Sequence, residues 1–438
     1  MFLKNRDLLI PLCFAIACCG CNRVVPVEEV RFLPVATQAE TELEIDLQSD
    51  WPWWRGPNQD GHSPSTGLPT SWSVDENVVW SVAVHGRGHS SPCVVSDRIF
   101  LTTADEAAQQ QMILCYDRVS GQELWNTTAH EGKFMQQHSK NSQASAMPAC
   151  DGKHVFALFL NAGGLWATAT DLTGKILWQT EAGPFGSEHG YGSSPTIYKS
   201  LLIVLGDNLT GSFVAALDRQ TGKIVWRIAR PTTGRHGSYA TPVIAHLAGR
   251  DQLLVTGMNE TRSYDPASGE LLWTCDGPAE VTANTVAWGD GLVFASGGYP
   301  EKQLLAIRAD GSGNITDSHI AWQARKGTAY VPTPVFHAGK LFVVSDDGIA
   351  TCFDAANGTM LHKVRIGGNF SASPILADGL LYVTDEQGTT VVIRADDSLE
   401  IVARNALGSG GMASLTIYDS HIYVRTSDRL YCLAQQPE

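Results

Sequence analysis

The sequence predicts an all-β fold: an eight-bladed β-propeller of four-stranded antiparallel blades, the last one closed by an N-terminal strand. Three observations carry this. The stretch AALDRQTGKIVW (Ala215 to Trp226) recurs as CYDRVSGQELW, TDLTGKILW, SYDPASGELLW and, with His362 in place of the aromatic, CFDAANGTMLH. Upstream of each copy lies a small-residue entry into an apolar strand, anchored at Pro92, Pro148, Pro195, Pro242, Val286, Pro334, Pro374 and Leu415. Between these marks run only strand signals, short β-branched and aromatic stretches bounded by turn residues, at a period of about 40–50 residues.

Each unit then reads as four strands, A to D. The A strand follows the small-residue entry, and a turn such as Ala377-Asp378-Gly379 leads into an apolar B strand such as LYVTD. The C strand ends in the aspartate. Asp218 is placed to accept backbone N–H groups two or three residues on, and Gly222 to take the positive φ that a compact connection demands. The D strand is read as ending in Trp226, whose large face suits the seam between sheets. Aromatics recurring at one position in most units are expected to pack rather than to cage a ligand. Trp80, Trp125, Trp178, Trp226, Trp273 and Trp322 are therefore assigned to inter-blade docking.

Counting D strands closes the ring. They end at Trp80, Trp125, Trp178, Trp226, Trp273, Trp322, His362 and Ile401. The first, Asn77–Trp80, precedes any A strand, and the last unit stops after its C strand, RLYCLA. Pairing these two leftovers completes an eighth sheet and removes two exposed edges.

The residues before Trp51 read differently. Leu8 to Ala17 is an apolar run of signal-core length, too short to span a bilayer. Gly20-Cys21 fits a lipoprotein cleavage site, with Cys18 as the competing one, so residues 1–20 are read as a signal peptide and Cys21 as lipid-anchored. Residues 21–50 are acidic and poor in aromatics, which predicts a disordered tether, a short helix near Ala39–Leu47 being the alternative. The propeller then spans 51–438, on the periplasmic side of the cell envelope, with Asn22 compatible with outer-membrane delivery. A net charge of −14 argues against nucleic acid as a partner. Cys93, Cys115, Cys150, Cys275, Cys352 and Cys432 read as small buried hydrophobes, with a Cys93–Cys150 bridge left open.

The D-to-A and B-to-C connections should emerge on one face, around the mouth of a central channel. Four successive D-to-A connections carry His89, His138, His189 and His236; Tyr191, Tyr239 and Tyr330 lie in similar places, and Arg87 and Arg235 add positive charge. This imidazole- and tyrosine-rich arc is the candidate ligand surface, suited to an anionic or polyhydroxylated small molecule. Local hydrogen bonding of each histidine is the competing account. Histidines on separate blades argue against a metal site, and none is expected. The acids of the B-to-C loops, among them Asp207, Asp346 and Glu386, are read mostly as solvated charge.

The pattern A-x-D-x-x-T-G-x-x-x-W, matched by Ala216, Asp218, Thr221, Gly222 and Trp226, resembles the tryptophan-docking repeat of pyrroloquinoline-quinone (PQQ) dehydrogenases and their relatives. WPWWRGPNQDG (Trp51 to Gly61) resembles the lead-in of bacterial PQQ-like repeat lipoproteins. The family mixes enzymes with non-enzymatic propellers. Its dehydrogenases carry adjacent cysteines beside the quinone and an acidic calcium set, whereas the adjacent pair here is Cys18-Cys19, inside the export signal. The resemblance thus implies a non-catalytic binding or scaffolding module, similar to the propeller lipoproteins of the outer-membrane barrel-assembly machinery. Its partners would be envelope or membrane proteins, with membrane contact through the lipid and no cofactor. A small-molecule sensor and a PQQ-dependent oxidoreductase are the alternative classes.

Overall fold

A computed structural model describes residues 26–31, 43–186, 189–233 and 236–436. The proposed lipidation site, Cys21, and Arg235 lie outside them. Eight sheets of four antiparallel strands form the ring, one of them extended by a short parallel fifth strand. Blade 3 shows the plan: Thr196–Tyr198, Leu201–Gly206, Phe213–Asp218 and Ile224–Ala229 run in order from the channel outward. Among the described residues the helical content is one turn, Thr316–His319.

The closure is as the count requires. Val78–Ala83 forms the outer strand of the last blade, with Trp80 opposite Cys432 and Ser81 opposite Tyr431. On the inner side Thr416 donates to the carbonyl of Pro92, 2.7 Å away, so the eighth blade is also tied to the first at the channel.

The D strands run past their tryptophans rather than ending there. Ile224–Ala229 continues for three residues beyond Trp226, and Glu123–Glu131 for six beyond Trp125. Each docking residue pairs with a small one on the C strand: Trp178 with Ala169, Trp226 with Ala216, Trp273 with Ser263, Trp125 with Cys115 and Trp80 with Cys432. A small residue leaves room for the indole to lie across the sheet, and this explains why Cys115, Cys352 and Cys432 share a position. By the same register the docking position of blade 7 is Ala403, opposite Val392, not Ile401.

The indoles then bridge to the next blade. Trp178 donates its N–H to the carbonyl of Arg219 at 3.1 Å, Trp125 to Leu172 at 2.9 Å and Trp322 to Ala355 at 2.8 Å. Trp80 does the same to Arg118 of the first blade, at 3.1 Å. The turn glycine sits on the indole face. At Gly222 (φ +70°) a Cβ would lie 2.6 Å from Trp178, so both the turn and the packing demand glycine. Within the turn, Asp218 accepts from the N–H of Thr221 at 2.8 Å and from its hydroxyl at 2.7 Å.

All six propeller cysteines are buried and unbridged, Cys93 and Cys150 included. Burial pushes the Cys275 and Cys352 thiols up to about 11. The described parts of the acidic tether lie against the ring. Val30 pairs with Arg227 on the outer edge of blade 3, and Glu44 donates its N–H to Asp151. Residues 43–47 are not helical.

Candidate functional site

The central channel is a blind cup. Its floor is the lead-in segment, which crosses the channel and bonds to six of the blades. Trp51 exchanges backbone bonds with Val94, Pro52 accepts from the Cys150 N–H, and Gln59 accepts from the Ile244 N–H at 2.7 Å. Gly61 and Ser63 bracket Leu376. Arg55 is buried to 2 % exposure and donates to the carbonyls of Pro334 (3.0 Å) and Pro374 (3.4 Å). Burial lowers its guanidinium to about 10, partly offset by Asp60. Trp54 faces up into the cup and donates its indole N–H to Thr285 at 3.1 Å. The sequence held the signal for this floor in its cluster of tryptophans at 51–54; nothing in the repeat pattern placed it in the channel.

Above the floor runs a belt of hydroxyls from the A-strand entries. Ser194 accepts the N–H of Met147, Thr241 that of Ser194, Thr333 that of Thr285, Ser373 that of Thr333, and Ser414 that of Ser373, all at 2.9–3.0 Å. Each bond links one blade to its neighbour, which is why the entries are built of small hydroxylated residues. The cup has a volume of about 380 Å³.

The rim carries the predicted arc. The His138 and His189 rings are 5.6 Å apart, centre to centre, and those of His189 and His236 are 5.4 Å apart. His189 Nδ1 lies 2.9 Å from the Tyr239 hydroxyl, and Tyr299 continues the series 5.4 Å from His236. His89, His138, His189, Tyr239 and Tyr330 line the cup. Burial, then the charges of Arg425 and Arg87, lower the His89 imidazole to about 4, so it is neutral at ordinary pH.

Other candidates lie elsewhere. Tyr191 is 7 % exposed, edge-on to Phe185, and donates to the carbonyl of Leu205; it packs the wall behind the cup. Arg87 sits on the rim, paired with Glu106 at 3.1 Å and donating to Ser139. Several loop acids are structural rather than solvated. Asp207 is buried in a two-pronged pair with Arg230 (2.8 and 3.0 Å), and Asp346 accepts the N–H groups of Tyr330 and Val331. Lys140 reaches across the mouth to Glu386, 2.9 Å away.

The family model described as outer membrane protein assembly factor BamB matches residues 109–363 and 262–402. The chain belongs to this family of PQQ-like propellers. Among curated proteins it is similar to the tetrathionate hydrolase of Acidithiobacillus ferrooxidans, 23 % identical over 70 % of this chain, and spans 65 % of that protein's length. It is also similar to the outer membrane protein assembly factor BamB of Yersinia pestis, 21 % identical over 74 % of this chain and 81 % of that one. Of solved structures, the quinohemoprotein alcohol dehydrogenase of Comamonas testosteroni shares the fold, with a TM-score of 0.64 at 13 % identity, covering 90 % of this chain and 82 % of that one.

PQQ is an anionic polycarboxylate that works beside a divalent cation. Among the described residues no group of three or more His, Cys, Asp or Glu is arranged to hold a metal ion. With no place for that cation among the described residues, the residues present do not fit the cofactor.

Proposed function

We propose that this propeller is an exported, lipid-anchored binding or scaffolding module on the periplasmic side of the cell envelope, working with membrane-protein assembly components. The match of the BamB family model across most of the repeats carries this reading. A closed ring whose ends are bonded into each other suits a presenting surface, since it carries all its loops on one scaffold. The export signal and Cys21 supply the anchor in this account. Labelling with radioactive palmitate should be lost in Cys21→Ser. The chain purified from detergent-extracted envelopes should bring down barrel-assembly proteins. Co-purification no greater than that of an unrelated lipoprotein sinks the scaffold role.

A second reading is favoured by one observation, the blind cup: the arc above Trp54 forms a small-molecule site for an anion or a sugar. Rim mutations such as His189→Ala would then abolish ligand-induced thermal shifts.

A further inference from the structure

Buried positive charge lies close to the cup. Two guanidinium groups are buried beside it with no carboxylate at ion-pair distance among the described residues. Arg55 lies beneath the floor and bonds the carbonyls of Pro334 and Pro374, the residues immediately after Thr333 and Ser373 of the hydroxyl belt. Arg425, 2 % exposed, lies behind the segment that supplies His89. Its Nη1 donates to the Ser90 hydroxyl at 2.6 Å and to the Thr102 carbonyl at 2.7 Å, while its Nε and Nη2 have no partner among the described residues. A buried cation without a counter-charge is costly, and its field is weakly screened.

The hydroxyl belt faces the same space. Ser194, Thr241, Thr285, Ser373 and Ser414 line the cup, and each spends a lone pair on an N–H group. None of these five hydroxyls donates a hydrogen bond within the described residues, so their protons remain to be offered to a ligand. A ring of donors beside two buried cations, with no carboxylate among the residues lining the cup, favours an acceptor that carries negative charge; the carboxylates just behind the lining, Asp346 and Glu386, are taken up by the Tyr330 and Val331 N–H groups and by Ser371 and Lys140.

We propose that the cup is an oxyanion site that takes a small organic carboxylate, its head held by the hydroxyl belt under the field of Arg55 and Arg425. Lys140 and Glu386 at the mouth set the potential at the entrance with opposite signs. The volume of about 380 Å³ leaves room for an organic body beyond the head group. This rests on the small-ligand reading of the cup and names its ligand class.

The test uses fluorine NMR on the full chain with 4-fluorobenzoate, its neutral isostere 4-fluorobenzamide, and 2-deoxy-2-fluoroglucose. The acid should bind saturably, at least about tenfold tighter than the amide. Lys140→Gln, an exposed change that leaves the fold alone, should weaken the acid about threefold. Glu386→Gln should tighten it by a similar factor, and neither should move the amide. The double variant Ser373→Ala/Ser414→Ala should weaken the acid further, provided its thermal unfolding stays cooperative. If the amide or the fluorosugar binds as well as the acid, or the two charge variants leave the acid unmoved, the oxyanion assignment is wrong while the cup remains a ligand site. If none of the probes binds, the small-ligand reading falls with it.

Discussion

The seam between blades 2 and 3 and the seam between blades 7 and 8 solve one packing problem with different material. At the first, Trp178 leans on Phe156 of its own blade (6.0 Å, 38°) and bonds to the turn of the next blade over Gly222. At the second, the receiving blade has no such turn, because its outer strand comes from the N-terminus. The docking position is accordingly Ala403, and Trp72 of the lead-in stacks on Tyr382 instead (6.4 Å, 14°), fixed by paired bonds between Asn405 and the 70–72 backbone. An aromatic covers the second strand in both cases. What differs is whether the repeat or the closing segment provides it.

A third seam is intermediate. Blade 5 has a long C-to-D connection, and its Gly313–Asn314 runs parallel to the outer strand of blade 4 as a fifth strand beside Trp273. The indole donates to Gln252 at 2.8 Å, and Gln252 passes a bond on to the carbonyl of Ala309 at 3.0 Å. The inter-blade bond survives through a relay.

Removing residues 51–83 should break the comparison most severely, since it takes away the floor, Trp72 and the eighth outer strand together. Expression should yield no cooperatively unfolding protein; an unchanged melting temperature would show the closure to be dispensable. Trp273→Ala should cost about 3–5 kcal/mol by urea unfolding, more than Trp178→Ala at about 2 kcal/mol, because Trp273 is fully buried and Trp178 only partly. Gly222→Ala should cost about 2 kcal/mol through its positive φ and the contact with Trp178. Gln252→Leu should cost about 1–2 kcal/mol by leaving the Trp273 N–H and the Ala309 carbonyl unpaired.

The smallest effect is one of pH. Burial lowers His130, near the blade 1–2 seam, to about 4, as it does His89 beside the blade 8–1 seam. Both stay neutral in the fold while the unfolded chain takes up protons below about 6.5. Their contribution is therefore present above about pH 6.5 and is lost as pH falls toward 4. The melting temperature should decline across that window, and His89→Gln should flatten the slope; an unaltered slope would show His89 to be charged in the fold.

The repeat was legible because its signals are local. An aspartate, a glycine and a tryptophan within nine residues of each other fix a turn and its docking face, so blade count and closure followed from the letters. The rim histidines were legible as positions, since each precedes an A strand, and the structure brings three of the rings into one series. Tyr191 was misplaced because a loop tyrosine points inward or outward according to neighbours far along the chain, here Phe185 and Leu205. The floor was illegible for a similar reason: Arg55 is satisfied by carbonyls some 280 and 320 residues away, and no local pattern announces that.

The lead-in that floors the channel and the strand that finishes the eighth blade are one continuous piece, with partners from the first blade to the last. Until Arg429–Leu433 has been synthesised, Val78–Ala83 has no partner strand, and until blade 7 exists, Gly61 and Ser63 lack Leu376. The ring therefore assembles around an unfinished beginning. A chain cut short before its last blade leaves Val78–Ala83 unpaired and the ring with an open edge.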